Sequence, residues 1–170
     1  DEENQRAADV VLDNNKDFAV RHNMLFAVSL PYSPLEEEVK LKILKTVKSE
    51  LLTVRGLRSL SPKNTKYKGM LVGNQKERDQ AYHQGTAFPW LIDHFAEAWL
   101  KLNGAAGISL VEEIYQNFEA TMFEAGLGSV SEVYDGDPPH ESRGAISQAW
   151  SVAALLRLNY LLKKYKQKTK

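Results

Sequence analysis

The chain has 170 residues, enough for one domain with a substantial core, and its 43% apolar content excludes a disordered polymer. Its 22 basic residues balance 22 acidic ones, so no global field draws in nucleic acid or an anionic membrane. Cysteine is absent, which excludes a disulfide framework, a thiol redox centre and a thiolate metal site, and agrees with a reducing, cytoplasmic setting.

The start, DEENQRAAD, is acidic and polar, unlike a signal peptide. Arg21-His22-Asn23 reads as an exposed helix start, with Asn as a common cap. Residues 24–30 (MLFAVSL) are apolar nearly all round and stop at Pro31. Residues 35–52 follow, with Leu35, Val39, Leu44, Val47, Leu51 and Leu52 striping one face and Glu and Lys covering the other, the pattern of a surface helix. Residues 53–80 are rich in turn formers and predict loops with a short strand pair.

Tyr82-His83-Gln84-Gly85-Thr86 comes next, with Thr86 read as a helix cap and Pro89 in the first turn. Residues 87–102 are largely apolar, and Asn103-Gly104 closes them as a helix C-terminus. Residues 108–123 are striped again, by Val111, Ile114, Tyr115, Phe118 and Met122. A loop of Ser, Gly, Asp and paired prolines around Glu132 then feeds residues 145–162, which are apolar around most of their circumference. The lysine-rich tail, residues 163–170, reads as a solvated helix end. No segment is long and apolar enough to span a membrane.

A helix apolar all round must be covered on all sides, whereas a striped one faces water. The alternation therefore predicts an all-α fold with two helical layers, inner runs near 24–30, 87–102 and 145–162 and outer runs between them. An antiparallel five-helix bundle is the alternative. Each inner run follows a loop dense in functional residue types, and in an α/α toroid those loops open onto one funnel. Arg21, His83, Gln84 and Glu132 are then expected around one opening. Histidine and glutamine suit sugar hydroxyls, and Tyr82 and Trp90 suit a pyranose face. Arg143 is placed to pair with Asp135 or Asp137 and fix the Glu132 loop, while Trp150 reads as core. The four histidines show no spacing with carboxylates that would ligate a metal. There is neither a glycine-rich phosphate loop nor a Gly-x-Ser-x-Gly string.

The stretch GSVSEVYDGDPPHESRGAI, residues 128–146, resembles the C-terminal end of the amylo-α-1,6-glucosidase domain of glycogen debranching enzymes. Glucoamylases carry a similar Ser-Glu-aromatic-Asp string. The likeness extends over residues 21–162 through Gly-Leu-Arg-Ser-Leu-Ser-Pro (56–62), which the family places across the funnel mouth, and His-Gln-Gly-Thr (83–86), with Phe88 where the family more often has Trp. In the family string Arg-Pro-Asn-Gln, Arg21 and Asn23 match while His22 and Met24 depart.

The resemblance implies roughly the C-terminal half of an (α/α)6 toroid, residues 1–170 forming one domain that is a fragment of a longer glucosidase domain. It implies an inverting glycoside hydrolase acting on a glycogen-like α-glucan without a cofactor. Glu132 is then the catalytic base, and Tyr82, His83, Gln84, Trp90, Arg21 and Tyr134 bind substrate. The family's general acid is an aspartate in an earlier hairpin. The acidic start (Asp1, Glu2, Glu3, Asp9) offers no match for it, so the chain alone is expected to be inactive. Neither nucleic acid nor membrane is an expected partner, and self-association through exposed inner helices is. A glucoamylase- or trehalase-like enzyme and a non-catalytic carbohydrate-binding domain are the alternatives.

Overall fold

The structure, a computed structural model, describes residues 7–168, so Asp1, Glu2, Glu3 and the last two tail residues lie outside it. An exposed antiparallel hairpin, β1 (Val10–Leu12) and β2 (Asn15–Asp17), comes first. A 3₁₀ turn (His22–Leu25) then runs into the short helix α1 (Phe26–Ser29). α2 (Glu37–Thr46) continues through a π-helical turn (Val47–Leu51) and meets the hairpin of β3 (Leu52–Thr53) and β4 (Gly56–Arg58). α3 (Gln75–Ala81) begins with a capping box, in which Asn74 and Glu77 satisfy each other's backbone N–H. The chain ends through β5 (Ala87–Phe88), α4 (Ile92–Asn103), α5 (Ile108–Thr121), β6 (Val133–Tyr134), β7 (Ser142–Arg143) and α6 (Ala149–Lys168).

The all-α expectation, and with it the half toroid of inner and outer helices, is overturned. The fold is mixed α/β, with about 51% helix, 10% strand and two sheets. The larger sheet runs β3-β4-β5-β6-β7, antiparallel throughout, in the register Leu57↔Phe88, Ala87↔Tyr134 and Val133↔Arg143. The physical reason lies in the loops between the helices. Leu57, Ala87, Phe88, Val133 and Tyr134 are buried, so their backbone N–H and C=O groups are cut off from water and must pair. They pair with one another. Strands of two or three residues are too short to show an alternating pattern, so sequence periodicity does not reveal them.

The helices follow their periodicity more closely. α2 and the turn after it bury Ile43, Leu44, Val47 and Leu51, and α5 buries Val111, Ile114 and Phe118, each leaving its other face wet. α4 packs against α1, α2 and α6, and buries Ile92, Phe95, Ala96 and Leu100. Gly104, at φ 55°, ends it as expected. α6 departs from expectation. It starts at Ala149 and leaves Trp150, Leu156 and Tyr160 at least half exposed. Apolar periodicity identifies faces able to be buried, and one face of α6 has no covering element among the described residues. No described helix is long and apolar enough to cross a membrane.

Three loops meet where side chains would not fit. Gly136 N donates to Gly69 O (2.6 Å), and a Cβ on Gly136 would stand 2.0 Å from Gly85 O. The contact is backbone against backbone and cannot yield by side-chain rotation. Gly136→Ala should therefore destabilise the fold by about 1–3 kcal/mol, the usual cost of overpacking. Urea unfolding measures it, and an unchanged midpoint would show that the loops do not approach this closely.

Candidate active site

The central sheet lays the Glu132 loop beside the His83 loop, and residues 56–62 tie them to the first turn of the chain. Ser59 N donates to Thr86 O (2.9 Å), Gly85 N to Ser59 Oγ (2.9 Å) and Ser61 N to Val20 O (3.0 Å). Thr86 is not a helix cap. Its hydroxyl donates to Tyr82 O (2.5 Å) and closes the His83 loop on itself.

Glu132 is half-buried, and both its carboxylate oxygens are held. The Tyr82 hydroxyl donates to Oε1, and Ala145 N donates to Oε2 (2.9 Å). Gly144 makes the second contact possible, since a Cβ there would lie 2.5 Å from Oε2. Burial, and then the hydrogen bond to Glu132 and its charge, push the Tyr82 phenol up to about 12, so it stays a neutral donor. The Tyr82 ring meets His83 edge-on at 4.6 Å and Phe88 at 5.4 Å.

Arg21 gathers the neighbouring loop. Its Nη1 donates to His83 O (2.6 Å) and Ser59 O (3.1 Å), and its Nη2 to Gln84 Oε1 (3.0 Å). Its Nε lies 3.4 Å from Asp9 Oδ2. The His83 ring stacks on Phe88 (5.7 Å), and burial followed by the Arg21 charge holds its pKa below the ordinary imidazole value. Arg21, His22, His83, Gln84, Phe88 and Trp90 border a cavity of about 460 Å³. That volume falls in the usual range for small-molecule sites, about 300–1,000 Å³.

The structure thus brings Arg21, His83, Gln84 and Trp90 to one cavity. Tyr82 lies against His83 and links that cluster to Glu132, which does not itself line the cavity. Tyr134 stands apart. It is only 1% exposed, packs in the core, and its hydroxyl accepts from Ser131 N (3.4 Å). Arg143 pairs with the fully buried Asp135 through Nε (3.1 Å) and Nη2 (2.8 Å), while Leu71 N donates to the other oxygen (2.8 Å). Asp137 instead accepts from the Tyr67 hydroxyl (2.7 Å), a phenol that burial and this bond push up to about 12. Among the described residues no cluster of three or more His, Asp or Glu side chains is placed to hold a metal ion.

Sequence reasoning missed His22, which it placed at an exposed helix start. It is 7% exposed and sits edge-on to Phe88 (6.2 Å) and Trp90 (6.1 Å). A usable signal was its place two residues before Met24 and three before Leu25, on the buried side of one tight turn. Burial drives its pKa down to about 4. The Asn23 hydrogen bond opposes that shift, and the charges of His83 and Arg21 add to it.

A family model described as Amylo-alpha-1,6-glucosidase matches residues 1–157. No curated protein matches the chain.

The depressed His22 pKa has a consequence for stability. Its folded value lies below its unfolded one, so its contribution is present above the ordinary value of 6.5 and is lost as pH falls toward about 4. The gap corresponds to on the order of 3 kcal/mol at full titration. Urea unfolding should show wild type weakening between neutral pH and about pH 4, with His22→Phe much flatter over the same range. Parallel profiles would contradict the burial of a neutral imidazole.

Proposed function

The chain belongs to the amylo-α-1,6-glucosidase family, and on that premise we propose that it supplies the base side of a site that releases glucose from α-1,6 branch points of a glycogen-like glucan with inversion. The observation that carries this reading is the Glu132 carboxylate. It is anchored at both oxygens, partly open to solvent, and linked through Tyr82 to a cavity bordered by hydroxyl-recognising and aromatic side chains.

In the proposed reaction Glu132 takes a proton from a water that attacks the anomeric carbon from the face opposite the leaving group. A second carboxyl, about 6.5–9.5 Å away in inverting enzymes, gives its proton to the departing glycosidic oxygen as the C–O bond breaks. We assign that acid to a segment of the glucosidase outside these 170 residues. Each oxygen of Glu132 accepts one hydrogen bond, which leaves lone pairs for the water. Tyr82 keeps its proton across the working pH range and holds the carboxylate in one orientation. Arg21, in turn, fixes the Gln84 amide and the His83 backbone. That leaves His83, Gln84 and Trp90 to position the glucosyl unit. Tyr134 takes no part, because its ring is enclosed by the core.

Glu132→Gln in the intact glucosidase should cut turnover on α-1,6-linked oligoglucosides by about 10²–10⁴-fold while leaving glucan binding largely unchanged. His83→Ala should mainly weaken binding. The 170-residue chain alone should not hydrolyse these substrates, and the sugar first released by the intact enzyme should be the β-anomer when followed by NMR. Near-normal turnover in Glu132→Gln would remove the base assignment, and an α-anomer would remove inversion.

A further inference from the structure

The hairpin of β1 and β2 contributes to the cavity as well. Asp9, Val10 and Asp17 border it together with Arg21, His83 and Gln84. The open end of the hairpin is fixed in place. Asp9 N donates to Asp17 O (2.8 Å), Asn23 Nδ2 donates to Asp9 Oδ1 (3.2 Å), and Arg21 Nε lies 3.4 Å from Asp9 Oδ2. Both carboxylate oxygens of Asp9 are thereby engaged. Asp17 differs. It is exposed, its Oδ1 accepts from Ala19 N (2.8 Å), and its Oδ2 has no partner among the described residues. An accessible carboxylate, oriented by its own turn and with lone pairs to spare, therefore stands at the cavity wall.

We propose that Asp17 is a specificity residue of the sugar site, its carboxylate accepting a hydrogen bond from one hydroxyl of the glucosyl unit held in the cavity. This rests on the reading of the cavity as part of a glucan site. The rest of the wall selects a hydroxyl over a charged group. Arg21 already donates to Ser59 O, His83 O and Gln84 Oε1, and its Nε faces Asp9, so the guanidinium has no open fork for a carboxylate or phosphate. Such an anion would also meet the charge of Asp17. Because Arg21 engages the Gln84 oxygen, the amide has N–H donors to offer. An ammonium group would satisfy Asp17 but has no lone pair for Gln84. A sugar hydroxyl both donates and accepts, so neighbouring hydroxyls of one ring satisfy both side chains, and its C–H face suits the Trp90 ring.

The probe is isomaltose, titrated calorimetrically into the 170-residue chain. The decisive variant is Asp17→Asn, which keeps an oxygen for Ala19 N and replaces the other by an NH2 group that cannot accept. It should bind isomaltose about 10–100-fold more weakly, the worth of a hydrogen bond to a charged group, with an unchanged melting temperature. Isomaltose lacking the one hydroxyl that meets Asp17 should bind wild type more weakly by a similar factor and lose nothing further in Asp17→Asn. Wild-type affinity in Asp17→Asn, or an equal further loss there for every monodeoxy isomaltose, would overturn the proposal. Weakened binding in His83→Ala beside wild-type affinity in Asp17→Asn would remove Asp17 alone and leave the glucan site standing. No isomaltose binding by wild type would remove both. Should Asp17→Asn not fold, Asp17→Ser takes its place, since its hydroxyl still accepts from Ala19 N.

Discussion

The hydrogen bond from the Tyr82 hydroxyl to the Glu132 carboxylate joins side chains fifty positions apart in sequence, and the arrangement of the site follows from it. A carboxylate on a loop is ordinarily solvated and mobile. Here one oxygen meets a phenol at the end of α3 and the other a backbone N–H in its own loop, so two independent elements determine its position. The same phenol ring lies against His83 and Phe88, whose loop Arg21 braces from the far side. Displacing any one of these pieces changes the setting of the next.

Beside the Glu132 loop the buried carboxylate is fully paired. Asp135 has no exposed surface, and an unpaired carboxylate there would be prohibitive. Its oxygens instead accept from Arg143 and from Leu71 N, which secures the Glu132 loop to both β7 and the preceding long loop. The backbones of Gly69, Gly85 and Gly136 come together beside it because none carries a Cβ. Asp93 of α4, a second carboxylate with little exposed surface, has one oxygen paired and the other without a hydrogen-bond partner among the described residues. There Arg157 of α6 reaches Asp93 and Glu97, and Lys101 donates to the carbonyl of Ser29. The Arg157 pairs join α6 to α4 at a partly exposed edge.

Part of this was legible in the sequence, for physical reasons. Helices reveal themselves by period, so α2, α4, α5 and most of α6 fall where apolar spacing puts them. Opposite charges in one short loop left Arg143 to pair with Asp135 or Asp137, and the structure pairs it with Asp135. The grouping of His83 with Gln84 is local in sequence, whereas their nearness to Arg21 was expected from a toroid that the structure does not form. The strands stayed hidden because two residues carry no alternation, and their pairing answers to burial set by the helices. Tyr134 is a substrate-binding residue by the family resemblance, yet its position in the sheet turns it into the core. Trp150 shows the converse, an apolar helix residue left half exposed. His22 was hidden because the tight turn that buries it is formed by contacts with Phe88 and Trp90, more than sixty residues away. Its spacing to Met24 and Leu25 is the one local sign of that burial.

The link between Tyr82 and Glu132 is open to one direct measurement, the ionisation of the Tyr82 phenol followed by ultraviolet absorbance or NMR. In the wild-type chain it should titrate near pH 12, because burial and the Glu132 carboxylate both oppose the phenolate. In Glu132→Gln the charge is gone and the midpoint should move down toward the ordinary value of 10. The same midpoint in both proteins, or one near 10 in wild type, would mean that phenol and carboxylate do not meet, and the site built around their contact would have to be abandoned.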